Sequence, residues 1–219
     1  MFAQPIARPT WLPTVAPRRE TKLLATARAT SSGQLVDATV LYVAFPDAVR
    51  RWDADELGTS ALMERARDDF AAAVAAHGGA AVPAHLDARS AVFPSAAAAV
   101  AAAIAVARAA AEPGAMPVAI GLASAPVAAG PFAAWELHAR ASAVAELAGK
   151  SGLLLTSATA ERLPAAVVAG AELCELGARK LPGLAMADRL TRVVLPDAEH
   201  PRGRLARRAV ARLRGAGGR

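Results

Sequence analysis

The side chains able to do chemistry are few and widely spaced. Asp87 and His85 lie two residues apart in AVPAHLDARSAVF, residues 81–93. A carboxylate and an imidazole at that spacing could begin a metal site, but two ligands do not complete one. A lone carboxylate also holds Mg²⁺ poorly without phosphate oxygens to share the ion, so a turn-forming Asp is the simpler role. Ser157 in TSATAERL could evoke a nucleophile, yet no GxSxG surrounds it. Cys174 is the sole cysteine, which rules out an internal disulfide. Its neighbours in AELCELG are aliphatic or acidic and disfavour a thiolate, so a buried, inert thiol is expected. His77 precedes Gly78 and Gly79 and suits the C-terminal end of a helix, while His138 falls in a helical pattern and is expected to pack. The patterns GxxxxGKS/T, CxxC and HExxH are all missing, so phosphate-loop, dithiol and zinc-protease chemistry have no foothold.

The elements that carry these residues follow from the apolar pattern. ATVLYVAF (38–45) is a continuous β-branched and aromatic run of strand length, as in a buried strand. In DELGTSALMERARDDFAAAVAAHGG (55–79), Leu62, Ala66, Phe70 and Val74 recur at spacing four before a glycine pair, which predicts a helix. Residues 81–93 read as two short strands around a turn at 85–88, and Pro83 demands an edge position or a bulge. Ser95 to Ala111 reads as a second helix, closed by Glu112-Pro113-Gly114, and MPVAIGLASAPVA (116–128) as a strand. AWELHARASAVAELAGKSG (134–152) reads as a helix ending in glycine; LLLTSATAERL begins as a strand and KLPGLAMADRLTRVVL ends in one. The order β, α, β, β, α, β, followed by further α and β units, predicts an α+β fold with the split βαβ core of ferredoxin-like domains. TKLLATARA (21–29) fits strand or helix equally.

At 219 residues the chain suits one core with appendages. The expected division is a Pro-containing N-terminal extension (1–33), a domain (34–197) and an Arg-rich tail (198–219). An apolar content of 54% excludes a disordered chain, and with only 4% aromatics the core must rest on closely packed Ala, Val and Leu. Pro5, Pro9, Pro13 and Pro17 interrupt the N-terminus, which leaves no apolar run of signal-peptide length and points to the cytoplasm. The Ala-rich run 95–107 is the one membrane candidate, too short and too weakly apolar to span. The formal charge of +6 resides in residues 201–219, whose Arg202, Arg204, Arg207, Arg208, Arg212, Arg214 and Arg219 face no acid; residues 1–200 sum to −1. Leu205, Ala209 and Leu213 recur at spacing four there. A short basic amphipathic helix could touch an anionic membrane, nucleic acid or an acidic protein, and a solvated tail is the plain alternative. Specific DNA reading is not expected, because no recognition motif accompanies the charge.

Taken in order, these segments resemble the catalytic domain of class III adenylate and guanylate cyclases. TVLYVAFPDAVRRW (39–52) is similar without a gap to the family strand TFLFTDIEGSTRLW. AHGG (76–79) and AVPAHLDARSAVF resemble the family's AHGG and VVKTMGDGFLAVF. The Ala-rich helix, IGL (120–122), LLLTSATAERL and ELGARKLPGLAMADRL complete a likeness that spans roughly residues 34–196. It implies a head-to-tail dimer, and it makes Ser157 part of a helix N-cap region.

The family's reaction joins the ribose 3′-hydroxyl to the α-phosphorus of a nucleoside triphosphate. Two divalent ions held by paired carboxylates lower the hydroxyl's pKa and neutralise the polyphosphate. The resemblance puts Ala44 at the first carboxylate position and Asp87 at the second. Recruiting Asp47 or Asp53 instead would need a slip that misplaces the apolar strand. The glycines flanking the family's hairpin Asp stand here as Leu86 and Ala88, which removes close backbone approach to phosphate. The Asn and Arg that a partner supplies from a helix of the form NRAARL stand as Ala139 and Ala143. Arg140, about 100° round the helix from Ala139, faces elsewhere. The base-selecting Lys stands as Pro83, which has no N–H to offer. Neither half of a heterodimeric cyclase is therefore complete. Loss of one preorganised donor costs about 3 to 4 kcal/mol of barrier, and even without additivity the several losses imply negligible turnover. The resemblance thus implies an inactive cyclase homology domain without cofactor, bound metal or nucleotide, pairing with itself or another signalling protein. Two alternatives stand beside it: a divergent cyclase using relocated ligands such as Asp47 or Asp87, and an adaptor acting through the basic tail.

Overall fold

The computed structural model describes residues 35–84, 87–128, 133–168 and 170–196. β1 (Leu35–Ala44) leads into two helices, α1 (Ala48–Ala54) and α2 (Glu56–Ala76), then the hairpin β2 (Ala80–Val82) and β3 (Ala88–Phe93). α3 (Ala96–Ala110), β4 (Ala119–Ala128), α4 (Ala133–Ala148), β5 (Leu153–Thr156) and α5 (Ser157–Ala160) follow. A 3-10 turn (Ala165–Val168) precedes β6 (Glu172–Lys180) and β7 (Ala187–Val194). One sheet holds all seven strands in the order β2-β3-β1-β4-β5-β7-β6. Its pairs are antiparallel except β4 with β5, which α4 connects. The first four strands with α2 and α3 form the ferredoxin-like unit, and the fold is α+β.

Local signals explain the boundaries. Asp55 caps α2 by accepting from the Gly58 N–H at 2.9 Å, and Ser95 caps α3 by accepting from the Ala98 N–H at 3.1 Å. α2 stops where Gly78 takes φ +69° and the Gly79 N–H reaches back to the Val74 carbonyl at 2.9 Å, a Schellman closure. Pro83 lies directly after β2, which is an edge strand, as its missing N–H requires. Two elements depart from the sequence reading. Extended backbone at Asp55 (φ −155°) separates α1 from α2, where the apolar spacing marked a helix only from residue 55. β6 escapes the pattern because it is an outer strand, exposed over most of its length, with no apolar alternation to read. Cys174 lies on β6 and is exposed, not buried as expected: its aliphatic neighbours have only β7 beside them.

Alternate residues of β1 feed two cores. Leu41, Val43 and the following Phe45 join Phe70 and Val74 of α2 and Val100 and Ile104 of α3; Val40 and Tyr42 face Leu137, Ala141 and Ala145 of α4. Helices therefore cover both faces of the sheet. α4 lies so close that a Cβ on Gly121 of β4 would stand 2.3 Å from the Ala141 carbonyl oxygen and from the Ala145 nitrogen. Alanine on the helix and glycine on the strand allow this contact, which is how a core poor in aromatics closes. Among the described residues no helix is long and apolar enough to cross a membrane.

A chain of buried hydroxyls ties β1, β4, β5 and α5 together. Thr39 Oγ1 meets Ser124 Oγ at 2.8 Å, Ser124 Oγ donates to Thr159 Oγ1 at 3.0 Å, and Thr159 Oγ1 meets Thr156 Oγ1 at 2.9 Å. Ser124→Ala is expected to lower the unfolding free energy by about 1 to 3 kcal/mol, because it removes the partner of two buried hydroxyls at once. Urea unfolding measures this, and an unchanged midpoint would show that the chain is no structural tie.

Candidate functional site

The sheet register assembles one end of the molecule. Ala44, the last residue of β1, stands opposite Ala88 of β3 on one side and Ala119 of β4 on the other. One residue on, the Phe45 N–H donates to the Asp87 carbonyl at 3.0 Å. Ala44, at the end of β1, and Asp87, in the turn just before β3, are thereby neighbours although 43 positions apart in sequence. Asp87 is exposed. The Ala44 methyl is half-buried and packs against a cluster that contains Ala119, Ala143, Val144, Leu181 and Leu190.

The other sequence-predicted positions are spread over the fold. Pro83 is exposed beyond the end of β2, and His85 and Leu86 lie outside the described residues. On α4, Ala139 is half-buried and Ala143 buried; both are methyl groups without a donor. Arg140 donates from Nη2 to Met186 Sδ at 3.5 Å. His138 packs, its ring edge-on to Tyr42 at 5.2 Å and stacked on Trp135 at 6.0 Å. His77 caps the C-terminus of α2, and Ser157 opens α5 with Oγ 3.5 Å from Asp188 Oδ1. The tail arginines Arg202, Arg204, Arg207, Arg208, Arg212 and Arg214 lie outside the described residues.

Asp47 adds what the sequence reading missed. Its φ is +67°, in the left-handed region that favours glycine. The ungapped likeness to TFLFTDIEGSTRLW places the motif's glycine at this position, so backbone and alignment agree in register. The Asp47 carboxylate takes an ion pair from Arg50 at 3.1 Å and a second from Lys150. The Lys150 hydrogen bond, outweighing desolvation and aided by Arg50, holds its pKa below the ordinary carboxylate value. The aspartate proposed as a relocated ligand is thus ionised and engaged by two cations. Nearby, Arg89 lies over the Phe45 ring at 5.9 Å, and burial with Arg67 beside it lowers its pKa.

The resemblance puts Ala44, a methyl, at the first carboxylate position; Asp47 is engaged by two cations, and among the described residues no three His, Cys, Asp or Glu side chains stand close enough to hold a metal ion.

No family model and no curated protein matches the chain. Solved structures do: the fold is that of class III adenylate and guanylate cyclase catalytic domains. An adenylate cyclase from Trypanosoma brucei, described in its monomeric state, aligns with TM-score 0.63 at 13% identity over 75% of this chain and 91% of that one. The adenylyl cyclase CyaB from P. aeruginosa aligns with TM-score 0.59 at 15% identity over 74% and 95%. The guanylate cyclase domain of RhGC from Catenaria anguillulae, solved with GTP, aligns with TM-score 0.59 at 14% identity over 73% and 97%.

Proposed function

We propose that this chain is a catalytically inactive cyclase homology domain, cytoplasmic, that dimerises and acts in signalling through protein contacts. One observation joined to the resemblance supports the reading: Ala44, which the resemblance puts at the first carboxylate position, carries only a methyl, lies beside Asp87 and packs against an apolar cluster with Ala143. A half-buried methyl packed against that cluster supplies no oxygen to a cation. Loss of one preorganised charge-stabilising donor costs about 3 to 4 kcal/mol of barrier, and by the resemblance Ala139 and Ala143 stand for two such donors, beside Ala44 for a metal ligand and Pro83 for the base-selecting Lys; the losses need not add. The dimer draws support from the fold, which the chain shares with a guanylyl cyclase domain from Blastocladiella emersonii described as a non-canonical dimer.

The association is tested by light scattering on the full chain. A mass of twice 22.3 kDa is expected, and a monomer at every concentration would refute the dimer. Incubation with each nucleoside triphosphate and Mg²⁺ or Mn²⁺ is expected to yield no cyclic product. A product lost in Asp87→Ala would support the divergent cyclase in its place.

A further inference from the structure

The two edges of the sheet differ. β2 is three residues long, and Pro83, which has no N–H to offer, follows it directly. β6 runs for nine residues, with β7 on one side and, among the described residues, no strand on the other. Unpaired N–H and C=O groups along such a strand are a template for another chain unless charge guards them. β6 carries charge, but sorted by sign: Glu172 and Glu175 stand in its first half, Arg179 and Lys180 at its end, all four exposed. The bulge between Glu175 and Gly177 sorts them by face as well. Glu172 and Arg179, opposite Val194 and Asp188 of β7, share one face; Glu175 and Lys180, opposite Thr191 and Ala187, share the other. Each face therefore carries one acid early and one base late. A strand so ordered repels a parallel copy of itself, and on each face it sets acid toward base in an antiparallel copy. The same edge leaves Leu173, 39% exposed, and Cys174 at the surface. The one ion pair that already engages this set, Glu175 with Arg189 at 3.7 Å, joins two side chains that are 80% and 72% exposed, so it competes weakly.

We propose that β6 is the surface through which this chain dimerises: the β6 edges of two copies pair antiparallel about a two-fold axis and join their sheets into one. The proposal deepens the reading that the chain dimerises and rests on it, and it stands in place of the head-to-tail arrangement that the resemblance implies. β4, β5 and β7 separate β6 from β1, so the contact involves neither Ala44 nor Asp87. Main-chain hydrogen bonds supply the attachment, and the sorted charges supply the direction. A contact confined to one strand and its flanking side chains is small beside the roughly 1,200 Å² of a stable complex, so the dimer dissociates on dilution.

The test is analytical ultracentrifugation of the full chain over a range of concentrations. Glu172→Lys with Glu175→Lys makes the edge wholly basic, and Arg179→Glu with Lys180→Glu makes it wholly acidic. In each, like charges meet across the axis, and the dimer dissociation constant is expected to rise about tenfold or more. The first pair raises the formal net charge of +6 by four and the second lowers it by four, so no shared effect of net charge explains both losses. Mixed in equal amounts, the basic and acidic variants are expected to form a heterodimer at least as tight as the parent dimer. A chain with all four changes restores the sorting in reverse order and is expected to dimerise like the parent. If one variant fails to fold by its melting curve, the other together with the four-change chain decides. A folded single-sign variant that dimerises like the parent, a mixture that stays monomeric, or a monomeric four-change chain overturns the proposal and leaves the dimer reading standing on another surface. A parent that is monomeric at every concentration overturns both.

Discussion

Phe93→Ala is expected to lower the unfolding free energy by about 3 to 5 kcal/mol, the cost of removing a large buried ring and leaving a cavity. Phe93 is fully buried at the end of β3 and belongs to the core shared by β1, α2 and α3. The ring also covers Gly79, where an added Cβ would stand 2.4 Å from ring carbon Cε1, so the turn after α2 is shaped around it. In a chain with only 4% aromatic residues few other side chains can fill that space. For a domain of this size each kcal/mol moves the melting temperature by about 2 to 4 °C, so a fall of roughly 10 °C is expected by calorimetry. A shift below about 2 °C would mean that the site collapses around the missing ring without loss.

Gly121→Ala has the opposite origin and an expected cost at the upper end of the roughly 1 to 3 kcal/mol typical of overpacking. The added methyl would meet the backbone of α4 at Ala141 and Ala145, and backbone cannot rotate aside as a flexible side chain can. α4 must lift from β4, which loosens the contacts of Ala141 and Ala145 with Val40 and Tyr42. The effect therefore reaches the helix that carries Ala139 and Ala143, and through it the end of the sheet at Ala44. Denaturant unfolding checks the size of the loss. Stability equal to the parent would contradict the seating of α4 on β4.

Much of this architecture was legible before any coordinates. ATVLYVAF had to be an interior strand, and β1 is buried from Val40 to Val43 because it has neighbours on both sides and helices on both faces. The left-handed Asp47, at a glycine position of the motif, fits the register of the ungapped likeness. What stayed hidden shares a physical cause. Cys174 was misjudged because composition reports how apolar a segment is, not whether another layer covers it. The hydroxyl chain joins Thr39, Ser124, Thr156 and Thr159, small polar residues whose burial only the assembled sheet decides. The Asp47–Lys150 pair spans 103 positions and leaves no periodic trace, since ion pairs follow proximity in space.

The most direct measurement is steady-state assay of the purified full chain with ATP, GTP, CTP or UTP in the presence of Mg²⁺ or Mn²⁺, with mass-spectrometric detection of the 3′,5′-cyclic nucleotide. On the proposed reading, which takes Ala44 to stand at the first metal-carboxylate position and Ala139 and Ala143 at those of the partner's donors, no product above the protein-free background is expected. Product that rises in proportion to protein concentration and disappears in Asp87→Ala would contradict the account.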